Sequence, residues 1–133
     1  MRHWLMKSEP EEYGWNDLIR DGATEWTGVR NHAAANHLRK MAVGDRAFFY
    51  HSGKERGVVG VMEVSRAARK DGAEGNWVSV EVRTLEPLPR LVTLSEFKAE
   101  PRLADMAILR QSRLSVAPVS ADEWDVILKL ARD

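Results

Sequence analysis

The 133-residue chain contains no cysteine. That absence excludes disulfides, thiolate catalysis and cysteine-based zinc sites in one step. It has no net charge either: 20 Lys and Arg balance 20 Asp and Glu, and the isoelectric point lies near 6.9. Strong non-specific binding to duplex nucleic acid needs many phosphate contacts, so a neutral chain argues against it. No apolar run approaches membrane-spanning length. The N-terminal Met1-Arg2-His3-Trp4-Leu5-Met6-Lys7 is too short in apolar residues for a secretory signal and lacks a small-residue cleavage site. These features place the protein in the cytoplasm, or in the nucleus of a eukaryote. There is no Walker pattern and no dinucleotide fingerprint. The four histidines, His3, His32, His37 and His51, show no metal-ligand spacing; His32 and His37 are five apart, off one helical face. No cofactor and no metal are expected. Linkers, repeats and low-complexity stretches are also missing.

What is present is enough to build a core. A composition 44% hydrophobic and 30% charged is ordinary for a globular protein, and this length predicts one domain spanning residues 1–133. Charge is segregated along the chain. Glu9, Glu11, Glu12, Asp17, Asp21 and Glu25 face only Arg20, whereas the stretch from Arg30 to Lys70 is basic. A local basic face on a neutral protein is one reading of this; a mixed solvated surface is the other.

Taken in order, His3 to Lys7 reads as a strand ended by Ser8-Glu9-Pro10. Asn16 is placed to cap a short helix through Arg20, with Trp15, Leu18 and Ile19 buried. Asn31 to Met41 is a helix with Ala34, Leu38 and Met41 on one face and Asn31 at the N-cap. Arg46–Ser52 and Gly57–Ser65 form a hairpin around the polar turn Gly53–Arg56, and Gly60 implies a bulge, a bend or close backbone approach. Trp77 to Leu85 alternates cleanly, and Pro87 and Pro89 are expected to end it. Thr93-Leu94-Ser95-Glu96 and Ser120-Ala121-Asp122-Glu123 have capping-box spacing. A short helix over Leu103–Leu109, a last strand at Leu114–Val116, and a final helix burying Trp124, Ile127, Leu128 and Ala131 complete the pattern. The order lacks regular β-α alternation. It predicts an α+β fold: a strongly curved, mostly antiparallel sheet or partly closed β-barrel with flanking helices.

The stretch without periodicity carries the chemistry. Glu25-Trp26-Thr27-Gly28-Val29-Arg30-Asn31 sets an aromatic ring, a glycine, a permanent cation and an amide side by side. Loops of this kind are where binding groups sit. The structural alternative makes Trp26 a core plug, Gly28 a turn, and Arg30 the partner of Glu25 or another acid. Lys7-Ser8-Glu9-Pro10 and Tyr50-His51-Ser52 each end an apolar strand in polar groups that can converge on the same place. A nucleobase stacked on an aromatic ring gains on the order of 1–3 kcal/mol. Arg30 suits a phosphate, a carboxylate or planar stacking. Ser8 or Ser52 with His51 would be a nucleophile pair, but no nucleophile-elbow sequence accompanies them.

Together these stretches resemble the EVE domain, a PUA-like family related to the ASCH and YTH domains. The likeness rests on Trp4–Pro10, Glu25–Asn31, Val43–Ser52, Gly57–Gly60 and Arg110–Val116, and covers nearly the whole chain. It implies a PUA-like barrel and a nucleic-acid-associated module whose pocket accepts a modified base of DNA or RNA. Carried over by position, Trp26 is the stacking wall. Lys7, Ser8, Val29, Arg30, Asn31, Tyr50, His51 and Ser52 line the pocket, and Gln111 and Arg113 lie near its mouth. His32-Ala33 and Gly53 depart from the family pattern and bear on how closed the pocket is. The basic residues from Arg30 to Lys70 are expected to hold the strand backbone. The expected function is a monomeric, non-enzymatic reader. The alternatives are an enzyme acting on a modified nucleotide, supported by His51 beside Ser52, and a protein-interaction module.

Overall fold

A computed structural model describes residues 1–133. The elements run β1 (His3–Ser8), α1 (Trp15–Asp21), β2 (Ala23–Trp26), α2 (His32–Lys40), β3 (Arg46–His51), β4 (Gly57–Lys70) and β5 (Val78–Thr93). After them come α3 (Leu94–Ala99), a 3-10 turn at Pro101–Leu103, α4 (Ala107–Arg110), β6 (Val116–Val119) and α5 (Ala121–Arg132). All six strands form one sheet in the order β2-β5-β4-β3-β1-β6. Only β1 and β3 run parallel. The outer strands β2 and β6 do not bond to each other, so the PUA-like barrel is only partly closed. Register breaks on β4, against both β3 and β5, bend the sheet as bulges do.

The apolar strand centres are buried on both faces of the sheet, since neighbours such as Phe48 and Phe49 point to opposite sides. Leu5, Met6, Phe48, Phe49, Val58 and Met62 are buried to the last few percent. Helix α5 covers one end: Trp124 stacks on Phe48 with centroids 3.7 Å apart. Three helix starts are legible in their caps. Asn31 accepts the Ala34 N–H at 2.9 Å, and Thr93–Glu96 and Ser120–Glu123 both close as capping boxes. Such a cap stabilises a helix by about 1 kcal/mol.

Gly60 is a close-approach glycine. A Cβ there would fall 2.4 Å from the Trp15 indole, which lies across β4 and meets Phe49 edge-on. Trp15 in turn anchors α1 to the sheet.

Several local expectations are corrected. Helix α1 is capped by Gly14, not Asn16, because the Asp17 carboxylate reaches back to the Gly14 N–H at 2.7 Å. Ile19 is half exposed, since Trp15 and Leu18 already fill the face turned to the sheet. In α5, Val126 is buried and Leu128 only partly so. The predicted 103–109 helix divides into the 3-10 turn and α4, and β6 begins at Val116. Strand β5 does not stop at Pro87 or Pro89 but continues to Thr93. Its outer neighbour β2 pairs only with Val80–Arg83, so beyond that point β5 is a sheet edge, where a missing N–H costs no ladder bond. Finally, the first half of the Trp26 stretch is itself a strand, paired with β5.

Candidate functional site

One large cleft, about 990 Å³, opens where β1 and β3 end beside the Trp26 loop. It lies at the upper end of the size range of small-ligand pockets, about 300–1,000 Å³. Of the residues expected at a site, Lys7, Ser8, Trp26, Val29, Arg30, Tyr50, Ser52 and Arg113 line it. Pairing of β1 with β3 brings Lys7 opposite Tyr50 and Ser8 opposite His51, which is how stretches more than 40 positions apart converge.

Trp26 is a buried core residue that also borders the cleft. It is only 8% exposed and packs edge-on against Phe49 at 5.4 Å, yet it forms part of the cleft wall. Gly28 follows with φ at +81°, a left-handed turn that other residues adopt only with strain. Asp71, in the β4–β5 connection, fixes that turn. Its Oδ2 accepts the Gly28 N–H at 2.9 Å and an Arg30 Nη1–H at 3.0 Å. The bond from Gly28 first, and that from Arg30 second, hold its carboxyl below the ordinary aspartate range. The same connection delivers Trp77, which stacks on His32 at 4.8 Å and lies 5.6 Å from the Arg30 guanidinium. A guanidinium of Arg39 on α2 bonds the Asn76 carbonyl. The Trp26 loop is therefore clasped from outside by residues 71–77. Arg30 is paired, but with Asp71 rather than Glu25. Glu25 is held by Arg66 at 2.8 Å, and by Arg69 and Ser79, and the Arg66 bond is the main reason its pKa is lowered.

Across the cleft, Lys7 donates to the Ser112 carbonyl at 3.1 Å and sits 5.4 Å from the Tyr50 ring centroid. Burial, and then Arg56 nearby, lower its pKa; burial raises that of the Tyr50 phenol. Arg56, Lys98, Leu94, Ile108, Leu109 and Ser112 complete that side.

Three expected residues point elsewhere. The Asn31 carbonyl oxygen is committed to the α2 cap. His51 Nε2 accepts the Trp15 N–H at 3.0 Å, which fixes the start of α1, and burial lowers its pKa. Gln111 is exposed at the C-cap of α4 and does not line the cleft. Of the basic stretch from Arg30 to Lys70, only Arg30 and Arg56 reach the cleft. Sequence reasoning missed Asp71, Lys98 and the apolar lining from α3 and α4, which had no local signal, because strand pairing and helix packing alone bring them in. Arg56 was expected only as one of the basic residues from Arg30 to Lys70. No group of three or more His, Asp or Glu side chains is arranged to hold a metal ion, and no helix is long and apolar enough to cross a membrane.

The six-stranded, partly closed sheet with flanking helices is a PUA-like fold. Within it, the chain belongs to the EVE domain family, whose profile matches residues 2–130. Thymocyte nuclear protein 1 of Homo sapiens is 34% identical over 164 aligned positions, covering 96% of this chain and 73% of that protein. A Rhodopseudomonas palustris protein of solved structure is 46% identical with a TM-score of 0.93, covering 99% of this chain and 94% of its own. Human THYN1 protein in complex with 5-methylcytosine containing DNA superposes with a TM-score of 0.92 at 32% identity, over 100% and 99% of the two chains. The YTH domain of Zygosaccharomyces rouxii MRB1 protein, in complex with N6-methyladenosine RNA, shares the fold at a TM-score of 0.62 and 19% identity, over 98% and 86%.

Proposed function

We propose that the protein is a non-enzymatic nucleic-acid reader in which a modified nucleobase, out of the helical stack, enters the cleft and lies against Trp26. The observation that carries this reading is the Trp26 loop: a ring on the cleft wall, followed by a glycine turn that Asp71 locks in place. A pre-set aromatic wall with backbone groups beside it suits a flat ligand with polar edges, and locking it beforehand lowers the ordering cost of binding. The structural relative bound to 5-methylcytosine containing DNA, similar over the whole length, supports the same reading and makes a methylated base in DNA the first ligand to try.

The enzyme alternative needs a serine activated by His51. The Ser8 hydroxyl instead donates to the Tyr13 carbonyl at 2.6 Å, and His51 Nε2 is occupied by the Trp15 N–H. Nothing specific favours a protein-interaction module.

The test is a titration of single strands carrying 5-methylcytosine, cytosine, N6-methyladenosine or adenine, followed by tryptophan fluorescence and compared with Trp26→Phe. That control is preferable to Trp26→Ala, which removes a buried indole at a cost of about 3–5 kcal/mol. Saturable binding that prefers a methylated strand and weakens at least tenfold in Trp26→Phe is the expected result. Binding that ignores both the base and the Trp26 change would sink the proposal.

A further inference from the structure

Four cations reach the cleft from four separate places: Lys7 at the end of β1, Arg56 before β4, Lys98 on α3 and Arg113 before β6. None of them forms an ion pair, although Arg30 at the same cleft is neutralised by Asp71. Lys7 and Arg56 donate only to the backbone carbonyls of Ser112 and Gly53, which leaves their charge uncompensated. The carboxylates that share the cleft do not discharge them either. Glu25 is taken by Arg66 and Arg69, and Glu9 and Glu12 pair with none of the four. Lys7 and Arg56 stand close enough for Arg56 to depress the lysine's pKa. A neutral protein thus gathers like charges in one hollow, where an anion from outside relieves their mutual repulsion. Hydroxyl groups of Ser52, Ser112 and Tyr50 line the same hollow.

We infer that Lys7, Arg56, Lys98 and Arg113 form a phosphate wall, and that the ligand is held through the phosphodiester flank of its base as well as through the base itself. This rests on the reader proposed above and narrows its ligand to a base within a strand rather than a free nucleoside. Arginine and lysine suit a phosphate oxygen geometrically and electrostatically. The size of the cleft agrees: its volume admits a base, its sugar and the adjoining phosphates. Three of the four, Lys7, Lys98 and Arg113, lie outside the basic sequence stretch, and only Arg56 belongs to it.

The experiment uses the full chain, its Lys98→Gln/Arg113→Gln double variant, and a control with two exposed lysines away from the cleft changed, Lys40→Gln/Lys129→Gln. Two probes are titrated over a range of salt: a short abasic deoxyribose-phosphate strand, and the same length of strand bearing the preferred base. Losing two phosphate contacts flattens the slope of log affinity against log salt by about 1.4 for a single strand and weakens binding roughly tenfold at low salt. The expected result is that both probes show this change in the double variant and neither does in the control. Unchanged slopes in the double variant, or an equal change in the control, would overturn the wall. An abasic strand that still shows the slope difference, while no base preference and no Trp26 effect are found, supports the wall and removes the base reading. Equal affinity for the free nucleoside and the strand removes the wall and leaves the base reading standing.

Discussion

His51 shows how a residue beside a site can serve it without entering it. The neutral imidazole accepts the Trp15 N–H, Trp15 lies across Gly60, and α1 is thereby seated on the sheet. A protonated ring has no lone pair to accept with. Burial already pushes the His51 pKa below its ordinary 6.5, so the unfolded chain takes up the proton first. Stability is full above about pH 6.5 and falls as the pH drops from there toward the depressed folded value. His3 and His37 are shifted the same way, chiefly by burial, and add to the slope. His51→Gln, which keeps an acceptor but cannot titrate, is expected to flatten part of that loss in thermal unfolding measured across the weakly acidic range; an unaltered pH profile would count against this role. The difference between what could and could not be read in advance is plain at this scale. Asn31, Thr93 and Ser120 each accept a backbone N–H three residues on, in the first turn of the helix they cap, so spacing reveals them. His51 and Ser8 bond Trp15 and Tyr13 across a turn of the fold, and no spacing encodes that.

Among the elements, the β4–β5 connection contributes most to the site for the least sequence signal. Its composition reads as a solvated turn, yet Asp71 and Trp77 hold the Trp26 loop through Gly28, Arg30 and His32. Asp71→Asn keeps one acceptor but loses the charge that strengthens both bonds. Charge-assisted hydrogen bonds contribute about 1.5–3 kcal/mol each, and here most of that goes into ordering a loop rather than holding the core. The variant is therefore expected to unfold within a few degrees of the parent but bind the preferred strand roughly tenfold more weakly, as thermal melts and fluorescence titration would report. A large drop in melting temperature would make Asp71 a fold residue instead. Strand β5 carries the opposite lesson. Its alternation was legible over Val78–Val82, but the two prolines misled, because whether a strand is an edge depends on a neighbour from residues 23–26.

On the scale of the whole molecule, the element types and the curved, partly closed sheet were readable, and the strand order was not. Periodicity names a strand but not its partner, and the parallel β1–β3 pair with β6 on the other side of β1 has no local signature. That arrangement makes the cleft a late structure. Lys7 bonds Ser112, and the Lys7 N–H bonds the Ser115 carbonyl, so the first strand is complete only when the last is beside it. A chain ending at Ser115 leaves the apolar Trp4, Leu5 and Met6 on an unpaired strand edge and removes Trp124 from Phe48. Such a fragment is expected to lack the near-ultraviolet circular dichroism of packed tryptophans; a native-like spectrum would contradict this dependence.

The same pairing sets a timetable for synthesis. The partner of the first strand, β6, is made more than 100 residues after it. Until then an apolar edge of β1 is open to any passing strand, including those of other nascent copies. Closing so distant a pair carries a high loop entropy, which slows folding compared with locally paired sheets. Accumulation of the protein in cells is therefore expected to depend on translation speed and chaperone supply.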